Sequence, residues 1–317
     1  METQMHNRLL AALEFGNDVL KNPSDLCIFP KNYHQSILED LICVADDING
    51  VLVFTALGVL RQHIRAAADA VSICFDPSSS GRIAVSINKS VSKGDSTPYE
   101  IHFYAPSRAT PGHFDLQPDS TLRIPSEPKI TPGYTRWIKA DPTNGNLYLA
   151  SGDNTVAALW KYDPLKLAWT TLMQRTGDLE HPCLITPSIL SQKTGEKTVQ
   201  MSMLLTAWTP ESNKWSVIRV RFGENDQLLE EVTLLEGNYN HIQEPWSSAA
   251  MKNSPDAFFT YDYQVGNIWK VKTGDSGECK ELVGAVKAGQ WVSMLVAGHW
   301  LYVTCSEEYV VRGFLLE

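Results

Sequence analysis

Short apolar runs divided by turn-forming residues fill this chain from about residue 40 onward, and the runs echo one another. Trp137, Trp246 and Trp291 each open an apolar run that ends in a turn, and a second β-rich run follows. After Trp137 come Asp141-Pro142-Thr143-Asn144-Gly145 and then Leu147-Tyr148-Leu149-Ala150; after Trp291 come Ala297-Gly298-His299 and then Trp300-Leu301-Tyr302-Val303. Upstream, residues 45–52 align without a gap to residues 140–147, with Ala, Asp, Asn, Gly and Leu in common. A strand–turn–strand unit recurring every roughly 45–65 residues predicts a β-propeller, because one unit alone cannot cover its apolar faces.

The pattern places inner strands near Asp40–Val44, Val71–Phe75, Trp137–Ala140, Cys183–Thr186, Ser247–Met251 and Val292–Val296. Second strands are expected near Val51–Thr55, Ile83–Ile87, Leu147–Ser151, Met201–Ala207, Ala257–Tyr261 and Trp300–Cys305. Third strands follow around Tyr99–Tyr104, Leu159–Tyr162, Val217–Val220, Ile268–Val271 and Tyr309–Phe314. Six inner strands predict six blades, with five and a hairpin as the alternative. The final unit has three strands, so ring closure needs an outer strand from upstream, for which Leu26–Phe29 is the candidate. Leu9, Leu10, Leu13, Val19 and Leu20 recur near helical spacing before Asn22-Pro23-Ser24. Residues 1–24 are therefore expected to form a short amphipathic helix and residues 25–317 one all-β propeller domain. The polar stretch Ala105–Pro132 is long enough to act as a lid, and Gln192–Thr198 reads as a second insertion.

Bulk properties narrow the function. The 317 residues are 43% hydrophobic and carry a formal charge of −9, enough apolar material for one large core. With no basic cluster, nucleic acid is an unsuitable partner. No apolar stretch is long enough to span a bilayer, so membrane insertion is not expected. No secretory signal is visible, so a cytoplasmic location is expected. Six scattered cysteines without a C-x-x-C pair read as buried thiols rather than a zinc site or disulfide framework. Gly274-Asp275-Ser276-Gly277 looks like a serine-protease nucleophile segment, but no matching histidine segment accompanies it, so a hairpin turn is expected. The acidic pairs Asp46-Asp47, Glu230-Glu231 and Glu307-Glu308 read as solvated turns and edges.

Candidate chemistry concentrates where connections reach the inner strands. Residues 237–246, Gly-Asn-Tyr-Asn-His-Ile-Gln-Glu-Pro-Trp, would bring His241, Gln243, Glu244 and Trp246 to the channel mouth. Arg136 before Trp137, His181 before Pro182 and Gln290 before Trp291 hold the matching place in other blades. Aromatic and polar groups converging on a funnel describe a small-molecule site.

Two resemblances bear on that site. Third strands such as Trp160-Lys161-Tyr162-Asp163 resemble those of the senescence-marker/gluconolactonase propellers, which implies metal-dependent lactone hydrolysis. That group's Glu-Gly-Pro opening is missing, and Asn49-Gly50 and Asn144-Gly145 instead suit tight turns. In length, pattern and Trp-rich mouth, the chain also resembles the fungal hetero-Diels–Alderases of tropolone–sesquiterpenoid pathways. That resemblance implies a cofactor-free, metal-free site joining a tropolone quinone methide to a humulene-type terpene. The roles expected from the residues present are His241 and Glu244 as proton donor and acceptor, Arg136 and Gln243 as oxygen anchors, and Trp137, Trp246 and Trp291 as aromatic walls, with His181 beside them. A non-catalytic interaction propeller is the third expectation.

Overall fold

In a computed structural model, which describes residues 11–78, 81–88, 99–128, 136–185, 201–237, 242–251, 257–272, 279–283, 286–289 and 291–316, the chain forms six four-stranded antiparallel sheets. Strand β1 (Ala11–Phe15) precedes the first complete blade, β2 (Pro23–Phe29), β3 (Leu41–Asp46), β4 (Gly50–Thr55) and β5 (Leu60–Ile64). Blade 2 is β6 (Ala70–Asp76), β7 (Arg82–Asn88), β8 (Tyr99–Tyr104) and β9 (Ser120–Arg123). Blade 3 is β10 (Arg136–Ala140), β11 (Leu147–Gly152), β12 (Ala157–Asp163) and β13 (Ala168–Arg175). Blade 4 is β14 (Asp178–Ile185), β15 (Met201–Thr209), β16 (Lys214–Phe222) and β17 (Leu228–Glu236). Blade 5 is β18 (Pro245–Ala250), β19 (Ala257–Asp262), β20 (Asn267–Lys272) and β21 (Cys279–Val283). Blade 6 is β22 (Met294–Ala297), β23 (Trp300–Cys305), β24 (Val310–Leu315) and, on its outer edge, β1. The six-bladed propeller is thus the architecture, and the five-blade alternative falls.

Two expectations near the N-terminus are corrected. Within the segment expected to be a helix, residues 11–15 form β1 instead: Leu13 and Phe15 lie opposite Gly313 and Val311 of β24, and Gly16 at φ +94° turns the chain away. The alternation of Leu13 and Phe15 satisfied both periods, and the unpaired edge of β24 decided between them. Ring closure therefore comes from residues 11–15, whereas Leu26–Phe29 belongs to the innermost strand of blade 1. Its neighbours move accordingly, so Asp40–Val44 is a second strand and Val51–Thr55 a third. Part of the stretch expected to be a lid belongs to a blade, since residues 120–123 form β9, and Phe114 packs edge-on against Phe29 at 5.1 Å. The 192–198 insertion and the 274–277 turn lie outside the described residues.

Each interblade space is filled by alternating strand residues, giving separate apolar clusters such as the one joining Cys43, Val53, Ile73, Val85 and Phe114. Strand order fixes two faces. Inner strands begin on an upper face, shared with the hairpins between second and third strands; they end on a lower face, shared with the hairpins between third and fourth strands.

On the upper face one carboxylate device recurs. Asp46, fully buried at the end of β3, accepts the N–H groups of Lys21 (2.7 Å), Asn22 (2.9 Å), Ile48 (3.1 Å) and Asn49 (2.8 Å). Asp262, at the end of β19, accepts those of Gln243 (2.7 Å), Glu244 (3.1 Å) and Gln264 (3.1 Å). Each pins the two residues before the proline that starts an inner strand, Pro23 or Pro245. Asp46 is consequently a structural clamp rather than the solvated turn its sequence suggested, because buried backbone donors need an acceptor.

Candidate functional site

The inner strands leave a central cavity of about 300 Å³. Its walls come from β2 (Leu26, Cys27, Ile28), β6 (Ile73, Cys74, Phe75), β10 (Trp137, Lys139, Ala140), β18 (Ser247, Ser248) and the stretch from Ser293 to Ala297. Along β2, β6, β10 and β22 the first lining residues are buried and the last are half-exposed. Pro142, in the turn after β10, is exposed. The chamber therefore opens on the lower face and is closed, among the described residues, near the starts of its strands.

The closed end is a polar knot around Asp25, whose side chain is 0% exposed. Lys139 Nζ sits 3.2 Å from both carboxylate oxygens. Ser293 Oγ donates to Oδ1 at 2.6 Å, and Ser72 Oγ donates to Oδ2. The N–H groups of Leu26 (2.8 Å) and Ile73 (3.0 Å) complete the set. Ser72 Oγ in turn accepts Ile138 N–H at 3.1 Å. Strands of blades 1, 2 and 3 and the start of blade 6 are thus tied through one carboxylate. A buried charge is tolerable only when paired and hydrogen-bonded, and this one is both. Lys139 and Ser293 also line the chamber, so the knot presents an ammonium and a hydroxyl to whatever enters. Ser248, itself buried, also lines the chamber, and its hydroxyl has no hydrogen-bond partner among the described residues.

The chamber's thiols are quiet. Burial pushes the Cys27 and Cys74 thiols well up from their ordinary range, so neither is a ready nucleophile. Cys27, Cys43, Cys74 and Cys305 are free and buried, while the side chains of Cys183 and Cys279 lie outside the described residues. Among the described residues, no three His, Cys, Asp or Glu side chains are grouped to hold a metal ion.

Of the expected site residues whose side chains are described, Trp137 alone lines the chamber; it is 1% exposed on β10. Arg136 opens β10 and His181 lies within β14, their side chains outside the described set, as are His241 and Gln290 altogether. Glu244 lies on the upper face, where its Oε1 accepts Gln264 Nε2 at 2.9 Å. Gln243 is exposed and its backbone is held by Asp262. Trp246 is committed to an aromatic ladder, 4.5 Å from Trp215 and 5.0 Å from Tyr263, with Trp208 6.4 Å beyond Trp215. Trp291 is half-buried in the bend before β22 and does not line the chamber. The chamber opens on the face opposite Gln243 and Glu244. Asp25, Ser72, Lys139, Ser248 and Ser293 were missed. Their only signal was polarity inside otherwise apolar inner strands, most visibly Lys139 within Trp-Ile-Lys-Ala.

No family model matches the chain, and no curated protein is similar to it in sequence. Solved structures share its fold. A putative phosphatase from Bacteroides thetaiotaomicron has a TM-score of 0.58 at 12% identity, over 93% of this chain and 71% of that one. Hydrazine synthase from Kuenenia stuttgartiensis has a TM-score of 0.56 at 10% identity, over 99% of both chains. An auxiliary nutrient binding protein from Bacteroides thetaiotaomicron has a TM-score of 0.53 at 11% identity, over 93% of this chain and 69% of that one. At such identities the likeness shows the propeller fold alone.

Proposed function

We propose that the central chamber receives one flat, largely apolar molecule, whose oxygen function meets Lys139 and the hydroxyls of Ser248 and Ser293. The observation carrying this reading is the chamber itself: apolar along its walls, polar only at its blind end, and open on one face. At about 300 Å³ it stands at the lower edge of ligand-pocket sizes, roughly 300–1,000 Å³, which is room for one ring system rather than two substrates.

The reaction that suits this chamber is the cofactor-independent hetero-Diels–Alder cycloaddition. A tropolone-derived quinone methide, planar and oxygen-bearing, is the molecule for the chamber, and a humulene-type alkene meets it at the lower mouth. Fixing two neutral reactants in one geometry supplies on the order of 7–11 kcal/mol. Lys139, hydrogen-bonded to the diene's carbonyl, draws electron density from it and favours addition to the alkene. Glu244 lies at the opposite face from the mouth, so the polar roles pass to Lys139 and the serines.

Calorimetric titration with tropolone tests the binding step, and mass spectrometry of the protein incubated with a hydroxymethyl tropolone and humulene tests the reaction. Ser248→Phe, which fills the chamber, is expected to abolish binding while Ser248→Ala retains it. Equal affinity for the two variants would refute the site. Binding without cycloadduct would leave a binding propeller and remove the enzyme.

A further inference from the structure

Strand pairing fixes what fills the seam between blades 4 and 5. On the blade 4 side, Thr206 of β15 lies opposite Val217 of β16. On the blade 5 side, Ser248 of β18 lies opposite Thr260 of β19, which in turn lies opposite Trp269 of β20. Directly opposed residues share a face of the sheet, as do residues two apart on one strand. Leu204 and Val217 of blade 4 form one apolar cluster with Phe258 and Val271 of blade 5, and Ala250 and Trp269 pack against it. Thr206 and Ser248 therefore both belong to this seam. Their height in it is bracketed: nearer the upper face Trp246 meets Trp215 at 4.5 Å, and nearer the lower face Ala250 and Leu204 join the apolar cluster.

Thr206 is 0% exposed and Ser248 3%. Neither hydroxyl has a hydrogen-bond partner among the described residues, and neither does Nε1 of Trp246 or Nε1 of Trp269 in the same seam. Thr260, by contrast, donates to the Ser247 carbonyl at 3.0 Å. Buried hydroxyls and N–H groups are almost always paired, so several without a partner in one seam need a shared occupant. We propose that a water molecule is bound there, bridging Thr206 Oγ1 and Ser248 Oγ, with the Trp246 indole N–H as its third partner. Buried waters typically hold about three hydrogen bonds to such groups. The groups themselves select the occupant: all are uncharged, the hydroxyls both donate and accept, and water does the same. Ser248 also lines the central chamber, so one hydroxyl serves the seam and the chamber together. Because a serine O–H rotates, a water-held Ser248 can donate to a ligand oxygen or accept from a ligand hydroxyl. That consequence rests on the chamber reading; the water site does not.

Thr206→Val tells a water-holding hydroxyl from an idle one by the sign of its effect on the full chain. Removing a buried polar group that bonds nothing relieves its desolvation and raises stability, whereas removing one partner of a bound water leaves the others short. The expected result is a lower urea midpoint for Thr206→Val and for Ser248→Ala, with the double variant falling by less than the two single losses combined, because both hydroxyls hold the same water. An equal or raised midpoint for Thr206→Val, or strictly additive losses, would overturn the proposal. A crystal structure of the parent chain decides the matter even if a variant fails to fold. Water density within about 2.7–3.2 Å of both Thr206 Oγ1 and Ser248 Oγ is expected, and a dry seam, or protein acceptors in its place, would also overturn the proposal. Both measurements are made without a chamber ligand, so failure here leaves tropolone binding to be judged by its own titration.

Discussion

The two ends of the central channel are built from the same inner strands, yet they solve opposite problems. At the blind end the buried Asp25 carboxylate and the Ser72 and Ser293 hydroxyls meet the partly exposed ammonium of Lys139, each satisfied by a neighbour on another blade. At the lower end Ile28, Phe75, Leu295 and Val296 stay half-exposed beside the opening. Polar groups thus join the blades while apolar groups shape the space between them, so specificity of assembly and capacity for ligand are separated along one axis.

The largest blow to this contrast is Asp25→Ala. It removes the carboxylate that Lys139 and two serine donors share, and should cost about 3 kcal/mol in urea unfolding. A loss under about 1 kcal/mol would mean that the knot does not fasten the blades. At the open end, Phe75→Ala removes edge-on contacts to Phe29 (5.0 Å) and Tyr33 (4.5 Å). Being half-exposed, Phe75 should cost about 2 kcal/mol, less than a fully buried aromatic. If it exceeds Asp25→Ala, the ranking of the two ends is reversed.

Between the ends, buried acids that prefer their neutral form predict an alkaline weakness. Burial pushes Cys305 up from 9.0 to about 12, and Tyr104 and Tyr261 up from 10.0 to about 12. The folded chain keeps these protons while the unfolded chain releases them. Their stabilisation is therefore complete below about pH 9 and lost as pH rises toward 12. Urea midpoints from pH 8 to pH 11 should fall steadily, and a flat series would contradict the burial argument. Smallest of all is Glu39→Gln on the lower rim: its pair with Arg61 is exposed on both sides, so its loss should change stability by less than about 0.5 kcal/mol.

The propeller was legible because strand alternation and turn residues act locally, and five of the six inner strands fall where the pattern placed them. The first blade went astray for an instructive reason. Residues 45–52 and 140–147 match because both are hairpins of one kind: Asp46 Oδ1 accepts Ile48 N–H, Asp141 Oδ1 accepts Thr143 N–H, and Gly50 and Gly145 both take positive φ. One hairpin joins second and third strands and the other joins first and second. The shared chemistry belongs to the turn and carries no information about place in the blade. The site was less legible still. Asp25 and Lys139 are 114 positions apart, and their union depends on ring closure rather than on any spacing. Trp246 looked like a channel residue, yet it packs against Tyr263 of its own blade and Trp215 of the neighbouring one, a contact between blades that no sequence spacing announces.

Strand β1 has a temporal consequence. Its hydrogen-bonding partner begins at Val310, almost three hundred residues downstream, so during translation residues 11–15 must wait with their edge unmet while five blades emerge. The ring can be fastened only once that distant strand has left the ribosome, which makes the last sheet the final event of biogenesis and exposes the early segment to chaperones in the meantime.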